Sequence, residues 1–167
     1  MWYNPKLNYQ MKNLLHLSLT LLFSGLLFAQ QDFQAERKHA NVENDHLAVQ
    51  GYDLISYFKE NKPQKGDSTW KSSHNGLIYF FSSEANKLMF DKNPEEYLPQ
   101  FGGWCAYAMG QKNKKVEINP QAYSIENGKL YLFYRSYFND TLKKWNENND
   151  NLRIAAESNW SKTISKK

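Results

Sequence analysis

Two Asn-Gly dipeptides, Asn75-Gly76 and Asn127-Gly128, constrain this chain more than any other feature in it. A two-residue turn between antiparallel strands needs left-handed backbone at both positions, and Asn followed by Gly accepts that conformation most readily. Each dipeptide separates two short runs that suit strands: Thr69–His74 and Leu77–Phe81 around the first, Ala122–Ile125 and Lys129–Tyr134 around the second. Two β-hairpins are therefore predicted. In the last run Leu130, Leu132 and Tyr134 alternate with Tyr131 and Phe133, the pattern of a strand covered on both faces.

Between and after the hairpins the signals are helical. Asp53 is placed to cap a short helix from Leu54 to about Lys59, and Ser83 to cap one running to about Asp91 with Leu88, Met89 and Phe90 on its buried side. Asn93-Pro94 ends that helix and starts one more turn to Tyr97. Asp140–Asn159 carries Leu142, Trp145, Leu152 and Ile154 and reads as one or two helices broken near Asn148–Asp150. Glu60–Ser68 and the basic stretch Gln111–Asn119 read as solvated loops. The sum is an α+β fold, a small antiparallel sheet made by the two hairpins with short helices packed on it.

The N-terminus has a different character. Met11–Ala29 starts with a lysine, continues through an apolar run of about 15 residues and ends on a small residue, as a secretory signal peptide does. The run is shorter than the ~20 residues that cross a membrane. The expected organisation is a signal peptide over 1–29, with Met11 an alternative start, then a flexible leader over 30–45, one domain over 46–160 and a polar tail over 161–167. The expected location is periplasmic or secreted, with no stable membrane insertion once the signal is removed. The formal charge of +4 includes Lys6 and Lys12 of that segment, and all 17 acids follow it. So even a balance points away from nucleic acid.

Cys105 is the only cysteine. It lies in Phe101-Gly102-Gly103-Trp104-Cys105-Ala106-Tyr107, where the glycine pair permits a tight turn and Trp104–Ala108 opens a short helix with Cys105 in its first turn. The positive end of a helix dipole favours a thiolate, and hence nucleophilic or metal-binding character. A small buried core residue is the alternative reading. In an exported chain an unpaired thiol is buried, bound to metal, joined to another molecule or kept for redox chemistry.

Gly51-Tyr52-Asp53-Leu54-Ile55-Ser56-Tyr57-Phe58, Asn75–Ser83, Asn93-Pro94 and Gly102-Gly103-Trp104-Cys105-Ala106-Tyr107, in that order, resemble the YHS domain family. The closest resemblance is to its exported branch, with GYDxxxYF and GG-aromatic-Cys-Ala-Tyr segments, some of whose members are described as selenoproteins. The resemblance implies a treble-clef-like module, here followed by C-terminal helices, and an association with metal. The positions at which the wider family carries cysteines are Ser56, Ser82 and Asn86 in this chain. Hydroxyl and amide groups replace thiolates poorly for a soft metal.

A metal site would draw on Cys105 with His74, His46 and Asp53, a set that suits copper or zinc but lacks tight ligand spacing. His74 also reads as an exposed turn residue and Asp53 as a helix cap. Tyr52, Tyr57, Trp104 and Tyr107 are the rings from which an aromatic pocket beside the thiol would be built, and core packing is their simpler use. Nothing marks an oxyanion hole beyond the Gly102-Gly103 amides, and no reaction type is indicated. The preferred expectation is a metal-handling accessory module using one thiol. A thiol-redox protein acting through Cys105 is the second reading, and a non-catalytic binding module with an inert buried cysteine the third. The partner expected is a metal-handling or redox protein.

Overall fold

A computed structural model describes residues 38–43 and 46–166. The signal-like segment, the leader as far as residue 37, and the pair 44–45 lie outside the described residues. Numbered from Leu54, the elements are α1 (Leu54–Lys59), β1 (Asp67–His74), β2 (Leu77–Phe81), α2 (Glu84–Lys92), α3 (Ala106–Lys112), β3 (Asn119–Glu126), β4 (Lys129–Phe133), α4 (Thr141–Asn146) and α5 (Asn149–Ile164).

Both Asn-Gly pairs make the predicted turn, with φ of 51° and 74° at Asn75 and Gly76 and the same values at Asn127 and Gly128. Left-handed backbone at two successive positions matches the right-handed twist of the strands that follow. β1 pairs with β2 from His74↔Leu77 outward, and β3 with β4 from Glu126↔Lys129 outward. The class is α+β, as expected, but the hairpins form two separate two-stranded sheets. The physical reason lies at the edges where they would have met. A parallel bridge from Leu47 to Ile78 takes the free edge of β2, and one from Pro99 to Leu130 takes that of β4.

β4 divides the interior. Leu130 and Leu132 enter a cluster with Leu54, Ile55 and Tyr57 of α1, Tyr79 and Phe81 of β2, and Phe90 of α2. Tyr131 and Phe133 enter a second cluster with Phe101, Met109, Trp145 and Trp160. Alternate residues thus serve alternate cores, which is why the strand reads apolar throughout.

Side chains fix where the helices start. Asp53 Oδ1 accepts from Ile55 N at 2.8 Å, Ser83 Oγ from Asn86 N at 3.2 Å, and Asp140 Oδ1 from Leu142 N at 3.1 Å. One buried face departs from expectation: Leu88 is 58% exposed, while Asn86 and Phe90 point inward. Residues i and i+4 share a helix face, and Leu88, midway between them, turns away from it. α3 and α5 pack so closely at Gly110 that a Cβ there would lie 2.5 Å from Leu152 O.

Residues 39–42, assigned by sequence to a flexible leader, are tied to the domain. Asn41 N donates to Gly102 O at 2.7 Å, Trp104 Nε1 to His39 O at 2.6 Å, and Lys115 Nζ to His39 Nδ1 at 2.9 Å. Gly102 (φ 60°) could carry no side chain here, since a Cβ would meet the Trp160 ring at 2.9 Å and Ala40 Cα at 3.2 Å. A backbone strap of this kind has no apolar periodicity to announce it.

Candidate functional site

The most concentrated polar arrangement is built around Asp53, which is fully buried. Oδ1 is the helix cap. Oδ2 accepts three further hydrogen bonds, from Ser82 N at 2.8 Å, Ser82 Oγ at 2.6 Å and Asn86 Nδ2 at 2.7 Å. Asn86 Nδ2 also lies 3.2 Å from Ser82 Oγ. On the main chain, Asp53 O accepts from Ser56 Oγ at 2.6 Å, and Ser56 Oγ in turn accepts from Gln64 N at 2.9 Å. One carboxylate therefore joins the start of α1, the exit of β2 and the first turn of α2. Its four donors are neutral, and Asp53 takes no part in the ion pairs found among the described residues.

Cys105 lies elsewhere, in the segment between Gly103 and α3. It is the residue before the helix, with φ −57° and ψ 114°, so the thiol sits at the N-cap instead of inside the first turn. It has no exposed surface. Its Sγ makes one polar contact, 3.4 Å to Thr141 Oγ1. The hydroxyl proton of Thr141 is donated to Tyr134 O at 2.7 Å, so the threonine oxygen accepts and the thiol donates.

The remaining predicted ligands are scattered. His74 Nε2 bonds Glu95 Oε1 at 2.6 Å, with its ring edge-on to Phe90 at 6.1 Å. His46 is exposed and holds left-handed backbone at φ 64°. Among the described residues no three His, Cys, Asp or Glu side chains come together as a metal-holding group. The rings are likewise used separately. Tyr57 donates to Pro120 O at 2.9 Å and stands edge-on to Tyr123 at 5.0 Å. Burial first, then the neighbouring Tyr52, Tyr123 and Asp53, push its hydroxyl well above the ordinary tyrosine range. Lys65 lies over Tyr52 and Lys115 over Trp104, while Tyr107 packs between the two cores. A cavity of about 190 Å³ opens between Val42, Leu47, Val49 and Ile118, with Glu43 and Glu117 at its wall, and none of the four rings lines it.

The family model described as the YHS domain matches residues 55–101. The chain carries a YHS domain. No curated protein and no solved structure matches it. Within the matched stretch lie Ser56, Ser82 and Asn86, and with them most of the Asp53 network. Asp53 itself precedes the match by two residues, and Cys105 follows its end.

The YHS domain brings an association with metal, and the residues present do not fit copper or zinc. Ser56, Ser82 and Asn86, which the resemblance sets against the family's cysteines, are neutral oxygen and nitrogen groups; Ser82 and Asn86 already bond the Asp53 carboxylate and Ser56 its main-chain oxygen. A soft metal would have to displace those bonds for poorer ligands than thiolate or imidazole. No buried side-chain polar atom among the described residues is left without a partner to offer instead.

Sequence reasoning named Asp53, Ser56, Ser82 and Asn86 but did not assemble them. It missed Thr141 as the partner of Cys105 and Gln64 as the partner of Ser56. The Thr141 contact spans 36 residues, and no local pattern encodes it.

Proposed function

We propose that this chain is an exported, non-catalytic YHS-type binding module, with its domain extending over about residues 46–160 and its thiol structural. The observation that supports this most directly is the state of Cys105: no exposed surface, no imidazole or carboxylate among its hydrogen-bond partners, and its proton given to Thr141. A thiol used in redox exchange needs an approach path for a second sulfur, and Cys105 has no exposed surface to offer one. The metal-handling reading through Cys105, His74, His46 and Asp53 lacks a ligand group to support it.

Alkylation of the purified mature protein, run beside metal analysis after exposure to copper or zinc, tests the proposal. The thiol is expected to react at least about a thousandfold more slowly in native buffer than in denaturant, because reaction waits on opening of the core. Metal retained in proportion to protein and lost in Cys105→Ala overturns the reading. So does rapid native alkylation.

A further inference from the structure

Between β4 and α4 the chain projects two rings into solvent. Tyr137 and Phe138 are each 94% exposed, adjacent, and stacked edge-to-face with ring centroids 4.8 Å apart. The turn that carries them is tied at its base on every level. Ser136 N donates to Asn139 O at 2.9 Å, Arg135 and Asp140 form an antiparallel bridge with Arg135 Nε 3.1 Å from Asp140 Oδ2, and Thr141 N donates to Tyr134 O at 3.2 Å. Two aromatic rings are thus held out into water by a rigid stem, with no packing role inside the domain.

The charge around them is positive. Asp140 is occupied twice, by Arg135 through Oδ2 and by the α4 backbone through Oδ1. Lys144 Nζ donates to Asn139 Oδ1 at 2.7 Å, which sets an ammonium on the turn itself, and the exposed Lys143 stands beside it. The next acid along the chain, Glu147, caps the far end of α4.

We propose that this turn docks the protein on an anionic lipid surface, with the Phe138 and Tyr137 rings entering the interfacial layer and Lys143 and Lys144 meeting the headgroup phosphates. A tyrosine ring with its hydroxyl favours the boundary between headgroups and acyl chains, and a phenylalanine ring beside it adds apolar area that enters the same layer. Lysines near that boundary add electrostatic attraction. The occupant follows from charge complementarity: headgroup phosphates supply a dense negative layer to the lysines at the depth the rings reach. The attachment is peripheral, since no helix among the described residues is long and apolar enough to cross a membrane. The inference does not depend on the state of Cys105.

Co-sedimentation of the mature chain with vesicles tests it, using phosphatidylcholine alone and phosphatidylcholine with about a third phosphatidylglycerol. Binding is expected on the anionic vesicles and to weaken with added salt. Tyr137→Ser with Phe138→Ser should lower it at least about tenfold. Lys143→Gln with Lys144→Gln should lower it roughly fivefold for each lysine lost. All four positions are exposed, so circular dichroism should show both variants folded. Equal binding to neutral and anionic vesicles, or aromatic variants that bind like the parent, overturns the proposal. It is also overturned if vesicles are ignored while sedimentation equilibrium shows a dimer that Tyr137→Ser with Phe138→Ser dissolves.

Discussion

Replacing Asp53 by Ala removes one carboxylate and strands groups on three elements. Ile55 N loses its cap, and Ser82 N, Ser82 Oγ and Asn86 Nδ2 lose the oxygen on which they converge. Hydrogen bonds to a charged group contribute about 1.5–3 kcal/mol each, and loss of a cap costs about 0.5–2 kcal/mol. Summing them would overshoot, because three of the donors share one oxygen and Asn86 can turn toward Ser82. Buried donors left unsatisfied cost about 1–3 kcal/mol each, and with two or more of the four stranded at once a total of about 3–5 kcal/mol is the better bound. Against a stability of about 5–15 kcal/mol for a domain, that is a large share. With a urea m-value of about 2 kcal/mol per molar, the midpoint should fall by about 2 M. Tryptophan fluorescence follows the transition, since Trp145 is fully buried. Asp53→Asn keeps the shape and one acceptor but turns an NH₂ toward existing donors, and it should recover no more than about half of the loss. That variant remains informative if Asp53→Ala does not fold. A cost below about 1 kcal/mol for either variant would refute the assignment of Asp53 as the organising group of this region.

Gly110→Ala should destabilise by about 1–3 kcal/mol in the same urea assay, despite the better helix propensity of alanine, because the added methyl meets Leu152 O and α3 must back away from α5. A variant as stable as the parent would mean that the two helices are not in that contact. His39 should titrate by NMR below its ordinary 6.5, held down first by burial and then by the charges of Lys115 and Lys38. Lys115→Gln should move the midpoint up. The sign for stability follows: a depressed histidine lets the unfolded chain take up its proton first, so the contribution of the strap is full above about 6.5 and lost as pH falls below it. An unshifted His39 would mean that residues 39–42 are not held against Trp104 and Lys115.

Local chemistry made much of the fold legible. The Asn-Gly turns, the Asp53 and Ser83 caps and the break before Asn149 each depend on residues within a few positions of one another, and each stands where the sequence places it. The alternation in β4 was legible for the same reason. What the sequence left open was set at long range. The separation of the two hairpins depends on Leu47 and Pro99 reaching strand edges 31 residues away. The exposure of Leu88 depends on what lies opposite Asn86. Neither has a periodic signature.

The site was legible as a set of residues and not as an arrangement. The sequence drew attention to Cys105 because a lone thiol is chemically conspicuous, yet it stands at an N-cap with no exposed surface and Thr141 as its polar neighbour, which supports the proposed structural role. It drew less attention to Asp53, whose capping role accounts for only one of its oxygens. The second oxygen decides the matter. It joins β2 and α2 to the start of α1 through donors that Ser82 and Asn86 supply, while Ser56 bonds the main-chain oxygen of the same residue. Such a network is rigid only while every member is present. Cysteine at Ser82 and Asn86 would therefore remove two of the carboxylate's four donors, and Ser56→Cys would weaken the bond to Asp53 O, before any metal could replace them.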